Sequence, residues 1–263
     1  MKTRFLQLIV IAALFAGTLF NLSAQSSSDF TRWKIKAVVA EITRDCRTDY
    51  EKAQAIYEWI VRNVDYNHDL VDSIQMISDS VSIYDPLNSD SYMRNLNEEM
   101  LGKGVAVFEK RSGICSNISH LYKLMCTEAG LRCKIVLGIN IGLDGIGGHA
   151  WNIVEIHGKK HLVDVTAGIG ARELTWLDML FPQSEKRNYF DASPSFFIKN
   201  GYYPLHKEDQ CLSVPITVDR FAGRMARLYK GFLPNSLVNY IKKNYCSGIL
   251  EMQNLFGDIA CDF

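Results

Sequence analysis

The chain has 263 residues, 48% of them hydrophobic, with 29 Lys and Arg balanced by 29 Asp and Glu. That balance excludes the strongly basic surface expected of a protein that binds nucleic acid or an anionic membrane. The length suits one good core, with or without appendages, and argues against several independent domains.

The chain opens "MKTRFLQLIVIAALFAGTLFNLSAQ": basic residues at Lys2 and Arg4, an apolar run from Leu6 to Phe20, then small residues at Ser23 and Ala24. This is the pattern of a secretory signal cleaved after Ala24. The apolar run is shorter than the ~20 residues of a membrane span, and the polar "QSSSD" follows it. The mature chain is therefore expected to be exported, to a periplasm, a cell surface or the medium, with no stable membrane span. Removing Lys2 and Arg4 from the 29 basic residues leaves 27 against 29 acidic ones, a net charge of −2.

Apolar residues Ile35, Val38, Val39 and Ile42 fall at helical spacing, which predicts a helix from Trp33 to Arg44. A second helix follows in "TDYEKAQAIYEWIVRNV", where Thr48 and Glu51 stand at capping-box spacing and Ala53, Ile56, Ile60 and Val64 form one stripe. Residues 67 to 97 turn polar and offer only turn signals, so a loop bordering a cleft is expected there. After a short helix around Met100 to Lys110, "RSGICSNISHLYKLMCTEAG" places Ile118, Leu121, Tyr122, Met125 and Ala129 on one helical face, with Gly130 as terminator. Cys115 then lies at the first turn of that helix.

"KIVLGINI" reads as a strand, and "GLDGIGG" as a flexible hairpin connection without the order of a nucleotide-binding fingerprint. Two alternating runs, "HAWNIVEI" and "KKHLVDVT", follow on either side of His157-Gly158. Residues 172 to 190 read as mixed loop and helix, "PSFFIKN" as a further strand, and the tail from Asp219 as two amphipathic helices broken near Pro234 and Gly248.

A two-residue turn at His157-Gly158 sets Ile156 opposite Lys159 and Trp151 opposite Asp164. His149 and Asp164 then share a sheet face as diagonal neighbours, with Cα atoms roughly 7 to 8 Å apart. A one-residue slip would separate them. A carboxylate so placed can orient the imidazole. A thiol at a helix N-terminus is favoured as thiolate by the unpaired N–H groups and the dipole, and an adjacent imidazolium favours it further. Cys115, His149 and Asp164 together would form a nucleophilic constellation for acyl transfer. Their plain alternatives are a buried thiol, a surface histidine and a turn or cap aspartate. Seven cysteines, an odd number, leave at least one to stay free or to pair between molecules; Cys126–Cys133 and Cys246–Cys261 are the shortest candidate bridges. No zinc-ligand spacing is present, so no metal or other cofactor is expected.

At these residues the sequence resembles the transglutaminase-like superfamily, relatives of papain-type cysteine peptidases. "RSGICSNISHLYKLMCTEAGLRCKIVLG" resembles the family's nucleophile helix and first strand, "GHAWNIVEI" its histidine strand and "HLVDVT" its aspartate strand. "SFFIKNGYYPLHKEDQCL" is similar to a closing segment of the kyphoscoliosis-peptidase-like branch. The resemblance implies an α+β, papain-like fold: N-terminal helices, including the nucleophile helix, packed on an antiparallel sheet. It implies Cys115 as nucleophile, His149 as general base and acid, and Asp164 as orienting carboxylate, with Trp151 and Asn152 shaping the substrate cleft. The expected organisation is a signal at 1–24, a catalytic domain at 25–215 and a helical extension at 216–263 packed on it. The expected activity is that of an exported cysteine-dependent amide hydrolase or acyltransferase acting on a protein or peptide, cell-wall peptides included. Its alternatives are a catalytically silent peptide- or cell-wall-binding module and a protein cross-linking transglutaminase.

Overall fold

The computed structural model describes residues 29–69, 103–142, 145–173 and 189–228. The signal segment, most of the polar stretch expected to border the cleft, and the tail beyond residue 228 lie outside the described residues. So do Cys246 and Cys261.

Helix α1 covers residues 29–42 and buries Ile35 and Val39. Helix α2, Asp49–Asn63, starts with the capping box that its sequence announces. The Thr48 side chain accepts from the Glu51 N–H at 3.1 Å, and the Glu51 carboxylate accepts from the Thr48 N–H at 3.0 Å. Its Ala53, Ile56 and Ile60 are fully buried. A short strand β1, Asp65–Tyr66, pairs in parallel with β2, Ser112–Gly113, after helix α3 at residues 103–110. Helix α4 is Cys115–Glu128, and Gly130 ends it at φ 78°, a left-handed conformation that favours glycine.

Strands β3, Arg132–Gly142, β4, Gly145–Ile156, and β5, Lys159–Val163, form an antiparallel meander. Strands β6, Phe190–Ala192, and β7, Tyr202–Pro204, complete a five-stranded sheet in the order β6-β5-β4-β3-β7. The β4–β5 turn has positive φ at both His157 and Gly158, 50° and 74°, the hallmark of a type I′ hairpin. Ile156 pairs with Lys159 and Asn152 with Val163, so the register read from the sequence holds along the ladder.

Both faces of this sheet are covered, which is why β4 is apolar at odd and even positions alike. Val154, Ile156 and Val163 face α2 and α4 in a core with Ile56, Ile118, Leu121 and Met125. Trp151, Ile153, Val136 and Leu162 form a second cluster with Phe197 and Tyr202. Helix α7, Val218–Leu228, adds a third layer by burying Phe221 and Met225 against Ile141, Ile198 and Tyr203. Gly138 is the tight point where β7 joins β3: a Cβ there would overlap the Tyr203 carbonyl oxygen, the Trp151 ring and Pro204.

Two local expectations are corrected. "PSFFIKN" is not a strand but helix α6, Pro194–Lys199: Ser193 accepts from the Phe196 N–H, and Pro194 is pre-set for the first helical turn. The short apolar run could not distinguish the two states, whereas the cap does. The aspartate strand stops at Val163, and helix α5, Val165–Glu173, begins directly after Asp164. Cys46, Cys115, Cys126, Cys133 and Cys211 are free thiols. Cys126 on α4 and Cys133 on β3 are hydrogen-bonded neighbours rather than a bridge.

Candidate active site

Cys115 is the first residue of α4. Its N-cap, Ile114, offers no side-chain hydrogen bond to the helix, and the first turn carries no acidic residue. The N–H groups of that turn are thus left without a side-chain cap, and no acidic residue in that turn opposes a negative charge on sulfur. Burial raises the thiol, but the hydrogen bond and positive charge of His149, followed by a bond from the Ala150 N–H, outweigh it and lower the thiol below its ordinary value.

His149 lies on β4 opposite Gly138. Its Nε2 is 2.7 Å from Asp164 Oδ2, leaving Nδ1 as the ring nitrogen available to the thiol. Burial disfavours the charged ring, yet Asp164 and then Cys115 more than compensate, and His149 is pushed up to about 10. Asp164 is completely buried, while 16% of the His149 side chain remains exposed. Burial opposes the Asp164 charge as well, and His149, the Ala167 N–H and Tyr202 together hold its carboxyl below the usual value. Lowered thiol, raised imidazole and ionised carboxylate are the electrostatics of a thiolate–imidazolium pair with an orienting anion.

The two oxygens of Asp164 have separate tasks. Oδ1 accepts from the Ala167 N–H at 2.9 Å and caps α5. Oδ2 holds His149 and also accepts from the Tyr202 hydroxyl at 2.7 Å. Asp164 thus caps α5 and holds the His149 ring at the same time.

The structure brings Cys115, His149 and Asp164 together. It places the two expected cleft residues elsewhere. Trp151, 1% exposed, stacks beside the His149 ring at 6.1 Å between centroids and faces Tyr202 edge-on at 5.5 Å. Asn152 is fully buried on the opposite sheet face, where its amide donates to the Ser119 carbonyl at 3.1 Å and ties β4 to α4. Neither presents surface to a substrate, so both act on the site by packing and orientation.

Several partners were not singled out in the sequence. Tyr202 arrives from β7, 38 positions after Asp164. Ser119 donates to the Ala150 carbonyl at 3.1 Å, a second tie between α4 and the histidine strand. Tyr57 packs near Asp164, and burial, with that carboxylate next, raises its phenol. Periodicity marks these residues only as core; their polar ends are spent on contacts far apart in sequence.

Residues 36–163 match the model of the transglutaminase-like superfamily. Kyphoscoliosis peptidase from Mus musculus is 25% identical over 213 residues, 78% of this chain and 28% of its own. Its counterpart from Homo sapiens is 25% identical over 196 residues, 72% of this chain and 26% of its own. The chain thus spans about a quarter of the length of these relatives. A solved TGase structure, 17% identical, covers 53% of this chain and 31% of its own at a TM-score of 0.38. The matched segment runs from α1 through β5 and includes both Cys115 and His149, with helices packed on an antiparallel sheet. Over residues 36–163 the chain is similar to the transglutaminase-like superfamily.

Proposed function

We propose that this chain is an exported cysteine-dependent amide hydrolase or acyltransferase acting on a protein or peptide. The transglutaminase-like core supports a peptidase-like or transglutaminase activity. The observation that carries the finer reading is the continuous chain of contacts from the Cys115 thiol to the His149 ring to Asp164 Oδ2, the last at 2.7 Å. Residues 1–24 support export.

In this reading the Cys115 thiolate adds to an amide carbonyl. The His149 imidazolium gives its proton to the departing amine, and a thioester remains on Cys115. Neutral His149 then takes a proton from the incoming water or amine, which attacks the thioester carbon and releases the thiolate. Asp164 keeps Nε2 of the ring engaged, so that Nδ1 faces the reaction throughout. Water is the default acceptor.

The test is alkylation of the mature chain with iodoacetamide near neutral pH. Fast single labelling at Cys115, lost in His149→Ala, is expected. Labelling at the rate of an ordinary thiol would remove the enzymatic reading and leave a module that binds peptide or cell wall without turnover.

A further inference from the structure

Strand β4 outruns its neighbour β5. The β5 ladder begins at Asn152, paired with Val163, so Ala150 has no β5 residue opposite it. On its other side Ala150 faces Leu137, whose carbonyl accepts from the Leu205 N–H on the β7 side of the sheet. Leu137 and Ala150 are thus a non-hydrogen-bonded pair of the antiparallel ladder, and the peptide groups of Ala150 point away from β3. Ala150 is 2% exposed, and polar groups so buried need partners.

Helix α4 supplies both. The Ala150 N–H bonds to Cys115, and the Ala150 carbonyl accepts from the Ser119 hydroxyl at 3.1 Å. Cys115 and Ser119 stand four residues apart and share a helix face. A hydroxyl inside a helix can turn back to the carbonyl four residues earlier, as Thr127 does on α4 by donating to the Lys123 carbonyl at 2.9 Å. For Ser119 that carbonyl would belong to Cys115. The Ser119 hydroxyl crosses instead to the residue next to His149, and the Ser119 carbonyl makes a second crossing by accepting the Asn152 amide at 3.1 Å. One buried residue of α4 is therefore held to β4 at two points, positions 150 and 152.

We propose that Ser119 is a positioning residue: by fixing the first turns of α4 to Ala150, it sets the contact between the Cys115 sulfur and the His149 ring. This rests on the reading of Cys115 as nucleophile. The titratable groups facing the sulfur are His149 from β4, Asp164 beyond that ring, and the Tyr66 phenol from β1. Ser119 carries no charge, so it acts on the sulfur only through this spacing. Without its hydroxyl the buried Ala150 carbonyl loses that partner, and β4 draws away from α4 at this point. The two contacts that favour the thiolate, from the His149 ring and the Ala150 N–H, then weaken together.

The test is the pH profile of iodoacetamide labelling on the full chain, read at Cys115 by fragment mass spectra. Ser119→Ala should move the midpoint upward by about one unit, roughly a tenfold smaller thiolate fraction on the acid limb. Tyr122→Phe is its companion, because it deletes another buried hydrogen bond of α4, from the Tyr122 hydroxyl to the Ala53 carbonyl of α2 at 3.2 Å. That variant should lose stability while its labelling midpoint stays at the wild-type value. Ser119→Cys keeps the shape with a weaker donor; its midpoint should fall between those of wild type and Ser119→Ala, and it carries the comparison if Ser119→Ala does not fold. A Ser119 variant that labels with the wild-type midpoint overturns the assignment. An equal displacement in Tyr122→Phe does so too, since any loosening of α4 would then suffice. If the wild-type midpoint is that of an ordinary thiol, the nucleophile reading fails and this inference with it.

Discussion

Tyr202 donates its hydroxyl proton to Asp164 over 2.7 Å, on the same carboxylate oxygen that holds His149. A neutral donor with a locked ring thus fixes the anion that fixes the imidazole. The Tyr202 ring also meets His149 edge-on at 5.7 Å and packs against Phe197 at 4.5 Å, so its position is set from both sides.

Tyr202→Phe keeps the packing and deletes the bond. Loss of a hydrogen bond to a charged group costs about 1.5–3 kcal/mol, which denaturant unfolding at neutral pH will register. The Tyr202 bond helps to depress the Asp164 carboxyl. A carboxylate with a lowered folded value contributes stability that is present above its unfolded value and lost as pH falls through the folded one. The variant should therefore lose its Asp164-linked stability at a higher pH on acid titration than wild type does.

Asp164→Asn leaves an amide oxygen able to accept the Ala167 N–H, so the cap on α5 survives. It removes the charge that is the largest favourable influence on His149. The ring should fall well below its value of about 10, and the thiol, which depends on that ring, should rise. Turnover is expected to drop by about 10³-fold or more, by analogy with loss of the aspartate from a serine triad. The pH profile of iodoacetamide labelling will show the midpoint displaced upward.

The ionic pair sets different alkaline limits for two reactions. Turnover needs the His149 proton for the leaving group, so its rate should decline as pH approaches about 10, where the ring deprotonates. Alkylation needs only the thiolate and should hold its plateau over the same range. Stability follows the histidine sign: with its folded value above the unfolded one, His149 contributes fully below the unfolded value of about 6.5. That contribution is lost as pH rises toward about 10. His149→Gln should thus cost more stability at pH 6 than at pH 10.

Two glycines two positions apart on α5, Gly168 and Gly170, should respond in opposite ways to the same change to alanine. A Cβ at Gly168 would overlap the Tyr57 hydroxyl and approach Val61 Cγ2 at 2.9 Å, forcing α5 away from α2. Overpacking of this kind costs about 1–3 kcal/mol. A Cβ at Gly170 meets nothing within 4 Å, and alanine should gain about 0.5–1 kcal/mol there from helix preference. Thermal melts of the two variants will separate the effects.

The parts legible in the sequence are those fixed by local chemistry. The Thr48–Glu51 capping box, the helix start at Cys115 and the His157-Gly158 turn all rest on residues within a few positions of each other. From that turn the register carried His149 and Asp164 to one face. The less legible parts depend on distant neighbours. "PSFFIKN" carries enough apolar residues for either state, and only the Ser193 cap and Pro194 select the helix. Tyr202 was visible as an aromatic in a closing segment, but nothing local says that its hydroxyl reaches Asp164. Trp151 and Asn152 belong to the histidine strand as expected, yet alternation and double-sided burial put both out of contact with solvent.

Strand β7 is pinned to β3 at the crowded Gly138, and it delivers Tyr202 to the carboxylate. Cys115, His149 and Asp164 lie within residues 115 to 164, but the unit that holds them in place is longer than that stretch. A fragment trimmed after α5 would retain sulfur, imidazole and carboxylate while losing the brace that immobilises the last of them. Engineering or transplanting this chemistry into another host therefore requires carrying the chain through at least Pro204.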